Sequence, residues 1–400
     1  MAIAPTLLRT MNQRFLLDWL YKNGAATRPQ LARDSGLSQP TVFATLANLV
    51  EAGLVRPSGQ SDEPAGRPAL VYEADPTAGS VLAVDLGVGA IRVVAADLLG
   101  TQLSRIERPN RARNVKPLVE AVRSAAAEAA ERAGLDLGQF SAAVIAVPGV
   151  YEPGQDRLSY APHMPGSRQS GLSRALSDGL GLPTTLENSV NLAALSEYTE
   201  GAGRGVSPFA YLHIETGVGM GLIIDGELYR GANGAAGEVG FLPFGPPRDA
   251  ATIREEGLLE RALADEALVA YAHEAGMAGE LTAAEIYAAA RAGDEAAVRA
   301  VGRQSDMLAT LIASISAVLD PELVVLGGRV GRNLDLLGDG LSDRLAALTP
   351  LRTRLAVSSL GRDAAVRGAV VRGVTLAREA EFTARMRPAT VPSEAAQEIS

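Results

Sequence analysis

The stretch Glu215-Thr216-Gly217-Val218-Gly219-Met220-Gly221 sets three glycines at alternate positions, directly after the apolar run Phe209 to Ile214. Glycines so spaced let successive N–H groups point into one concavity, the geometry that cradles phosphate oxygens. A bulged β-hairpin needs similar glycines, so both readings stay open on these residues alone. Two further clusters follow: Asp225-Gly226-Glu227-Leu228-Tyr229-Arg230-Gly231 and Ala236-Gly237-Glu238-Val239-Gly240-Phe241.

A second kind of chemistry is written near the amino terminus. Helical spacing from Met11 puts Phe15, Leu16, Trp19 and Leu20 on one face, with Gly24 as the stop. Thr27-Arg28-Pro29-Gln30 reads as a capping box opening a short helix that ends at Ser35-Gly36. A third helix starts at Ser38 and buries Val42, Leu46, Leu49 and Val50, which makes a helix-turn-helix. Its outward face carries Thr41, Ala44 and Asn48, flanked by Gln39 and Thr45: short side chains with donors, acceptors or methyls suited to base edges and phosphates. Arg28 and Ser38, at the two helix starts, complete the expected DNA contacts. Three-helix bundles of no such function share this spacing. From Leu54 the pattern turns to strand, polar turn and strand through Glu73, a wing whose tip holds Gly66-Arg67-Pro68; Arg67 is either a minor-groove probe or a solvated turn residue.

Bulk properties bound what these stretches serve. Four hundred residues with 47% hydrophobic content exceed one ordinary core, so two or three domains are expected. The chain has no cysteine, which rules out disulfides and thiolate metal sites. No apolar run approaches the roughly 18 residues of a membrane span and no secretory signal pattern opens the chain, so a soluble, cytoplasmic protein is expected. The net charge is −9, yet residues 1–60 carry six basic against three acidic side chains, or +3, leaving −12 for the rest. A mildly basic head on an acidic body suits a DNA-reading module joined to a body that must not stick to phosphate.

After a linker at 74–80, strands are predicted at Val81 to Asp85, Ile91 to Asp97 and Thr101 to Ile106, then a helix over Val115 to Ala133 and strands at Ala142 to Val147 and Pro183 to Glu187. A second unit of like design starts at Phe209, with helices over Glu255 to Gly276, Thr282 to Ala292 and Asp306 to Val318, a strand at Leu323 to Leu326 and a last helix from Asp363 to Phe382.

The strand, glycine turn, D-G-x-x-x-x-G hairpin and A-G-E-x-G sequence, in that order, resemble the ROK family (repressors, unassigned frames and sugar kinases), over nearly the whole chain. Gly66-Arg67-Pro68 in the wing, the turn Asp85-Leu86-Gly87-Val88-Gly89 and Gly327-Gly328 also match. The resemblance implies an α/β fold: a winged helix-turn-helix at 1–75, followed at 76–385 by a two-lobed, actin-like (ribonuclease-H-like) sugar-kinase body; the remaining 386–400, with two prolines and small polar residues, is expected to be a disordered tail. It also implies degenerate phosphate turns at Asp85, Gly87, Thr216, Gly217 and Gly219.

Departures from the family pattern shape the functional expectation. The family's E-N-D-x-N, whose aspartate is the general base, reads Glu187-Asn188-Ser189-Val190-Asn191, and serine cannot take that proton at neutral pH. Glu215 replaces a glycine and would repel a triphosphate, unless it points outward. Laid on the family's zinc motif, the chain has Phe241, Ala251, Ile253 and Leu258 for the four ligands, while Gly257 and Glu260 remain. Asn188, Glu238 and Glu260 are the implied sugar-facing set, with His163, in Pro162-His163-Met164-Pro165-Gly166, as a further donor. The expectation is a sugar-responsive, non-enzymatic regulator, with no cofactor, operator DNA and a carbohydrate or sugar phosphate as partners, acting as a homodimer or dimer of dimers. The rivals are a regulator with residual sugar kinase activity and a protein-binding scaffold.

Overall fold

The computed structural model describes residues 5–60, 69–161, 164–165, 170–244 and 257–386. The head consists of α1 (Pro5–Asn23), β1 (Ala26–Thr27), α2 (Arg28–Ser35), α3 (Gln39–Glu51), β2 (Val55–Gln60) and β3 (Leu70–Ala74). Thr27 Oγ1 accepts the Gln30 N–H, Pro29 occupies the first turn of α2, and Gly36 at φ 69° ends it. Ser38 caps α3 in the same way, through the Thr41 N–H. Leu31, Val42, Leu46 and Leu49 pack with Leu16, Leu17 and Leu20 of α1, so the three helices share one core. Phe15, expected in that core, is exposed, and Leu17 is buried. The strands order as β1-β3-β2; the two-residue β1 was not anticipated. The wing tip with Arg67 lies outside the described residues.

The body holds two sheets of identical order. In lobe I, β4 (Ser80–Leu86), β5 (Ala90–Asp97) and β6 (Gln102–Pro109) run antiparallel, α4 (Val115–Arg132) crosses over, and β7 (Ala142–Val147) joins β4 in parallel. A hairpin of β8 (Val150–Glu152) and β9 (Arg157–Ser159) and helix α5 (Leu172–Leu180) precede β10 (Thr184–Asn188), which pairs in parallel with β7 and runs into α6 (Ser189–Thr199). Lobe II repeats the plan: β11 (Phe209–Ile214), β12 (Val218–Ile224) and β13 (Glu227–Tyr229) are antiparallel. Then come α7 (Glu260–Leu263), α8 (Asp265–Glu274), α9 (Ala283–Arg291) and α10 (Glu295–Leu319), before β14 (Leu323–Gly327) joins β11 in parallel. Next are α11 (Gly328–Arg332), α12 (Leu334–Leu348), the parallel edge strand β15 (Arg354–Val357) and α13 (Ala364–Met386). The orders β6-β5-β4-β7-β10 and β13-β12-β11-β14-β15 correspond strand for strand, the duplicated ribonuclease-H-like plan. The expected helix over 255–276 is broken at Ala264, whose extended ψ of 177° separates α7 from α8.

Two helices tie the lobes together. A Cβ on Gly221 would meet Ala194 Cβ at 2.6 Å and Val190 O at 2.7 Å, so α6 lies directly on β12. On its far side α6 touches α13, where a Cβ on Gly368 would stand 1.8 Å from Leu192 O. Helix α13 in turn covers the lobe I sheet through Val366 and Ala369 against Ala83, Val94, Val144 and Ala146.

Candidate ligand cleft and candidate nucleic-acid interface

The alternate glycines resolve into a hairpin. Strands β11 and β12 pair in unbroken register from Phe209↔Ile223 to Ile214↔Val218, with only 215–217 as the loop. Gly219 and Gly221 therefore share one face of β12, and what demands glycine there is the approach of α6, with Val190 Cγ2 at 3.1 Å from a Cβ on Gly219. Of the two readings left open for the alternation, the hairpin is the one that accounts for Gly219 and Gly221. Thr216 is exposed, and Gly217 borders Glu260.

The described residues of the expected sugar-facing set, Asn188, Glu238 and Glu260, come from three segments. Asn188, at the end of β10, is the cap of α6: its Oδ1 accepts from Val190 N at 2.7 Å and Asn191 N at 3.0 Å, and its Nδ2 donates to Gly149 O at 2.9 Å. Only one amide proton is left over, so Asn188 serves the fold first. Glu260, opening α7, accepts the Val218 N–H at 3.1 Å and buttresses the β11–β12 turn. Gly257 at φ 70° lies so close to Gly240 that a Cβ would stand 2.3 Å from its carbonyl oxygen, which brings α7 up to the Ala236–Phe241 stretch. Glu238 is half-buried there, and burial, reinforced by the charge of Glu260, pushes its carboxyl up to about 7. A carboxyl poised near neutrality can both donate and accept, which suits hydroxyl recognition.

Phe241, at the position where the resemblance expects a metal-binding histidine, packs edge-on against Tyr160 with ring centres 5.0 Å apart. Leu258 is half-buried; Ala251, Ile253, His163 and Pro162 lie outside the described residues. Among the described residues no three His, Asp or Glu side chains group as a metal site. Glu187 crosses the cleft mouth to Arg230, at 2.8 Å from Nε and 2.6 Å from Nη2, so an ion pair joins lobe I to lobe II.

Behind Ser189, the first residue of α6, lies a cavity of about 290 Å³ lined by Asp85, Arg92, His213, Glu215, Arg332 and Arg362, among others. Asp85 pairs with Arg92 at 2.8 Å; burial raises its carboxyl above the usual range and Arg92 offsets part of that. Gly87 makes the tight turn to β5, donating to Ala90 O at 3.0 Å. Glu215 does not face outward but lines this cavity, where Arg332 Nη2 donates to it at 2.8 Å and Arg329 Nη2 lies at 3.2 Å. Burial holds the neighbouring His213 below the ordinary imidazole range, with Glu215 opposing the shift.

On the head, α3 presents Gln39 and Ala44 to solvent, with Thr41 half-exposed and hydrogen-bonded to the exposed Ser38 at 2.8 Å. Thr45 is a correction. It is 4% exposed, because it stands three residues after Val42 and four before Leu49 and so falls on the packed stripe. Asn48 Oδ1 accepts from Arg9 of α1 at 2.8 Å, which brings an unanticipated cation to the recognition face. Arg28 lies over the Phe43 ring at 4.5 Å and the Tyr72 ring at 5.1 Å and bonds the Tyr72 hydroxyl. Phe43, 54% exposed on α3, was missed; its signal was an aromatic residue one position off the Val42, Leu46, Leu49 stripe.

Helix α13 connects these two regions. Its first turn, Ala364 and Ala365, lines the cavity, and its last turns enter the head core through Phe382. There Arg385 donates to the carbonyls of Ala52, Gly53 and Ala78, Arg14 pairs with Glu379, and Arg378 stacks on Tyr21 at 3.8 Å. At the other end the buried Glu197 of α6 accepts from Ser358, Ser359 and Leu360, fixing the approach to α13.

Comparison with known proteins adds an independent line. A profile of the ROK family matches residues 81–372, and one of the MarR family matches residues 10–59. The chain is similar to a xylose repressor of Caldicellulosiruptor bescii, 25% identical over 81% of this chain and 84% of that protein. It is also similar to the DNA-binding transcriptional dual regulator NagC of Escherichia coli, 24% identical over 92% of this chain and 95% of NagC. Among solved structures, a ROK family transcriptional regulator, a homologue of the E. coli MLC protein, matches with a TM-score of 0.78 and 21% identity, over 94% of this chain and 98% of its own. A ROK family glucokinase from Streptomyces griseus, in complex with glucose and AMPPNP, matches at a TM-score of 0.63 and 26% identity over 74% of this chain and 99% of its own.

Proposed function

The chain belongs to the ROK family, and from that membership we propose that it is a cytoplasmic, sugar-responsive transcriptional regulator, a repressor that reads operator DNA as a homodimer or dimer of dimers. The head reads the major groove with Gln39, Thr41, Ala44 and Phe43 of α3, while Arg9 and Arg28 supply positive charge; Arg67 of the wing reaches the minor groove. The body holds a carbohydrate or sugar phosphate by Glu238, Glu260 and the remaining amide proton of Asn188, with His163 as a further donor. No cofactor takes part. The body does not transfer phosphate, because Ser189 stands where a carboxylate would have to take the sugar proton.

One observation supports the reading above the others: α13 has one end at the cavity behind Ser189, next to the start of α6 that Asn188 caps, and the other inside the head. At 1.5 Å per residue its 23 residues span about 35 Å, a rigid element long enough to link that cavity to the head. The test is capture of fragments of the organism's own genome by the intact protein, followed by mobility shift with a panel of free and phosphorylated sugars. A specific fragment whose retention changes with one sugar is expected. Replacing Thr41 and Ala44 by Asp should abolish that retention while the fold, followed by circular dichroism, is kept. Sequence-independent binding insensitive to every sugar would leave the scaffold reading in its place, and ATP-dependent sugar phosphorylation would restore the kinase.

A further inference from the structure

Among the described residues, the arginines lining the cavity behind Ser189, Arg92, Arg332 and Arg362, and Arg329 next to them on α11 each have a carboxylate. Arg92 holds Asp85 at 2.8 Å, Arg329 holds Asp265 at 3.0 Å, Arg362 approaches Glu107 at 3.7 Å, and Arg332 holds Glu215 at 2.8 Å. Glu215 stands apart within this set. Its partners sit on α11, which begins at Gly328, so its carboxylate closes the gap between the β11–β12 turn and that helix. Its backbone is fixed as well, with its N–H donated to Gly217 O at 3.0 Å and its carbonyl accepting from Asp265 N at 2.9 Å. Gly328, at φ 70°, admits the close passage of α11, since a Cβ there would stand 2.3 Å from Ile214 O.

We propose that Glu215 is a resident anion: its carboxylate fills a phosphate-class oxyanion site formed by Arg329 and Arg332, and so makes the cleft independent of nucleotide. An external phosphate or pyrophosphate must compete with a tethered carboxylate whose effective concentration is millimolar or higher. It must also approach a cavity whose charges balance pairwise. Removing the carboxylate leaves Arg332 unpaired and Arg329 half-served by Asp265, and the site then accepts an external oxyanion. This inference goes beyond the regulatory role and stands or falls without it, since neither DNA nor sugar enters its test.

The experiment is equilibrium dialysis of the full chain against labelled inorganic phosphate and pyrophosphate, with Glu215→Gln, Glu215→Gly and the double variant Glu215→Gln/Arg332→Gln. The parent should show no saturable binding up to millimolar concentration. Either single variant should bind pyrophosphate at least about tenfold more tightly than the parent, and the double variant should lose that gain. Two glutamate variants are used so that one folded protein, verified by circular dichroism, suffices. Equal affinity in the parent and a folded single variant, whether both bind or neither does, overturns the assignment. So does a gain that survives loss of Arg332.

Discussion

Lobe I neutralises its turn acid locally, Asp85 facing Arg92 across the β4–β5 pair, whereas lobe II sends Glu215 out of its hairpin to arginines on α11. The strand order is the same in both, so the topology does not dictate the chemistry at its turns. The lobes differ again in what they carry. The head's apolar core runs into lobe I through Val81, Ala96, Leu98 and Ala142, and into α13 through Val374, Ala377 and Phe382. Lobe II meets lobe I across the cleft through α6 and the Glu187–Arg230 pair. Head and lobe I therefore share one continuous apolar core, which lobe II joins across the cleft.

The comparison is most severely tested at the head junction. Phe382→Ala removes a ring that is 6% exposed between head and lobe I, at a cost of about 3–5 kcal/mol. Denaturant unfolding followed by both head and body probes should then split into two transitions; one unshifted transition would show that the head hangs on something else. Next in size is Arg230→Gln, which leaves Glu187, with its side chain 12% exposed, without its cation, costing about 1–3 kcal/mol. Hydrogen exchange at the ends of β10 and β13 should quicken while the head stays protected. Protection unchanged at β10 would mean that the pair does not latch the lobes.

The most local effect is a pH dependence confined to the cleft. Glu238 has a folded-state value of about 7, above the ordinary carboxyl, so the folded protein holds this proton more tightly than the unfolded chain. Its contribution is fully present below the unfolded value and is lost as pH rises towards 7, by at most about 3 kcal/mol. Glu238→Gln should flatten the melting temperature between acid and neutral pH, and weaken any sugar response by roughly 5- to 150-fold. The same slope in parent and variant would place the titration elsewhere.

Patterns of regular period were readable from the chain alone. The strands Ala142–Val147 and Phe209–Ile214 have the bounds their apolar runs predict, and the caps at Thr27 and Ser38 are set by residues three positions apart. Helix α6, on which the cleft turns, went unrecognised because it is enclosed on several sides: Asn191, Leu192, Ala193, Ala194, Ser196 and Glu197 are all buried, so no amphipathic period marks it. Likewise α10 begins at Glu295, eleven residues ahead of the expected Asp306. The residues of the cleft could be named from motif order, but their roles could not. Asn188 is spent on capping α6, Thr45 on the head core, and Gly219 and Gly221 on the approach of a helix.

Local periodicity and capping act over a few residues, so composition and order fixed the helix-turn-helix, the paired α/β halves, and the serine at position 189 where the family motif has an aspartate. The partners of Glu215, Glu187 and Arg385 lie 117, 43 and 333 residues away. Which charges meet at such separations depends on how sheets and helices pack, and only the folded chain runs α13 from the cavity behind Ser189 to the core of the head.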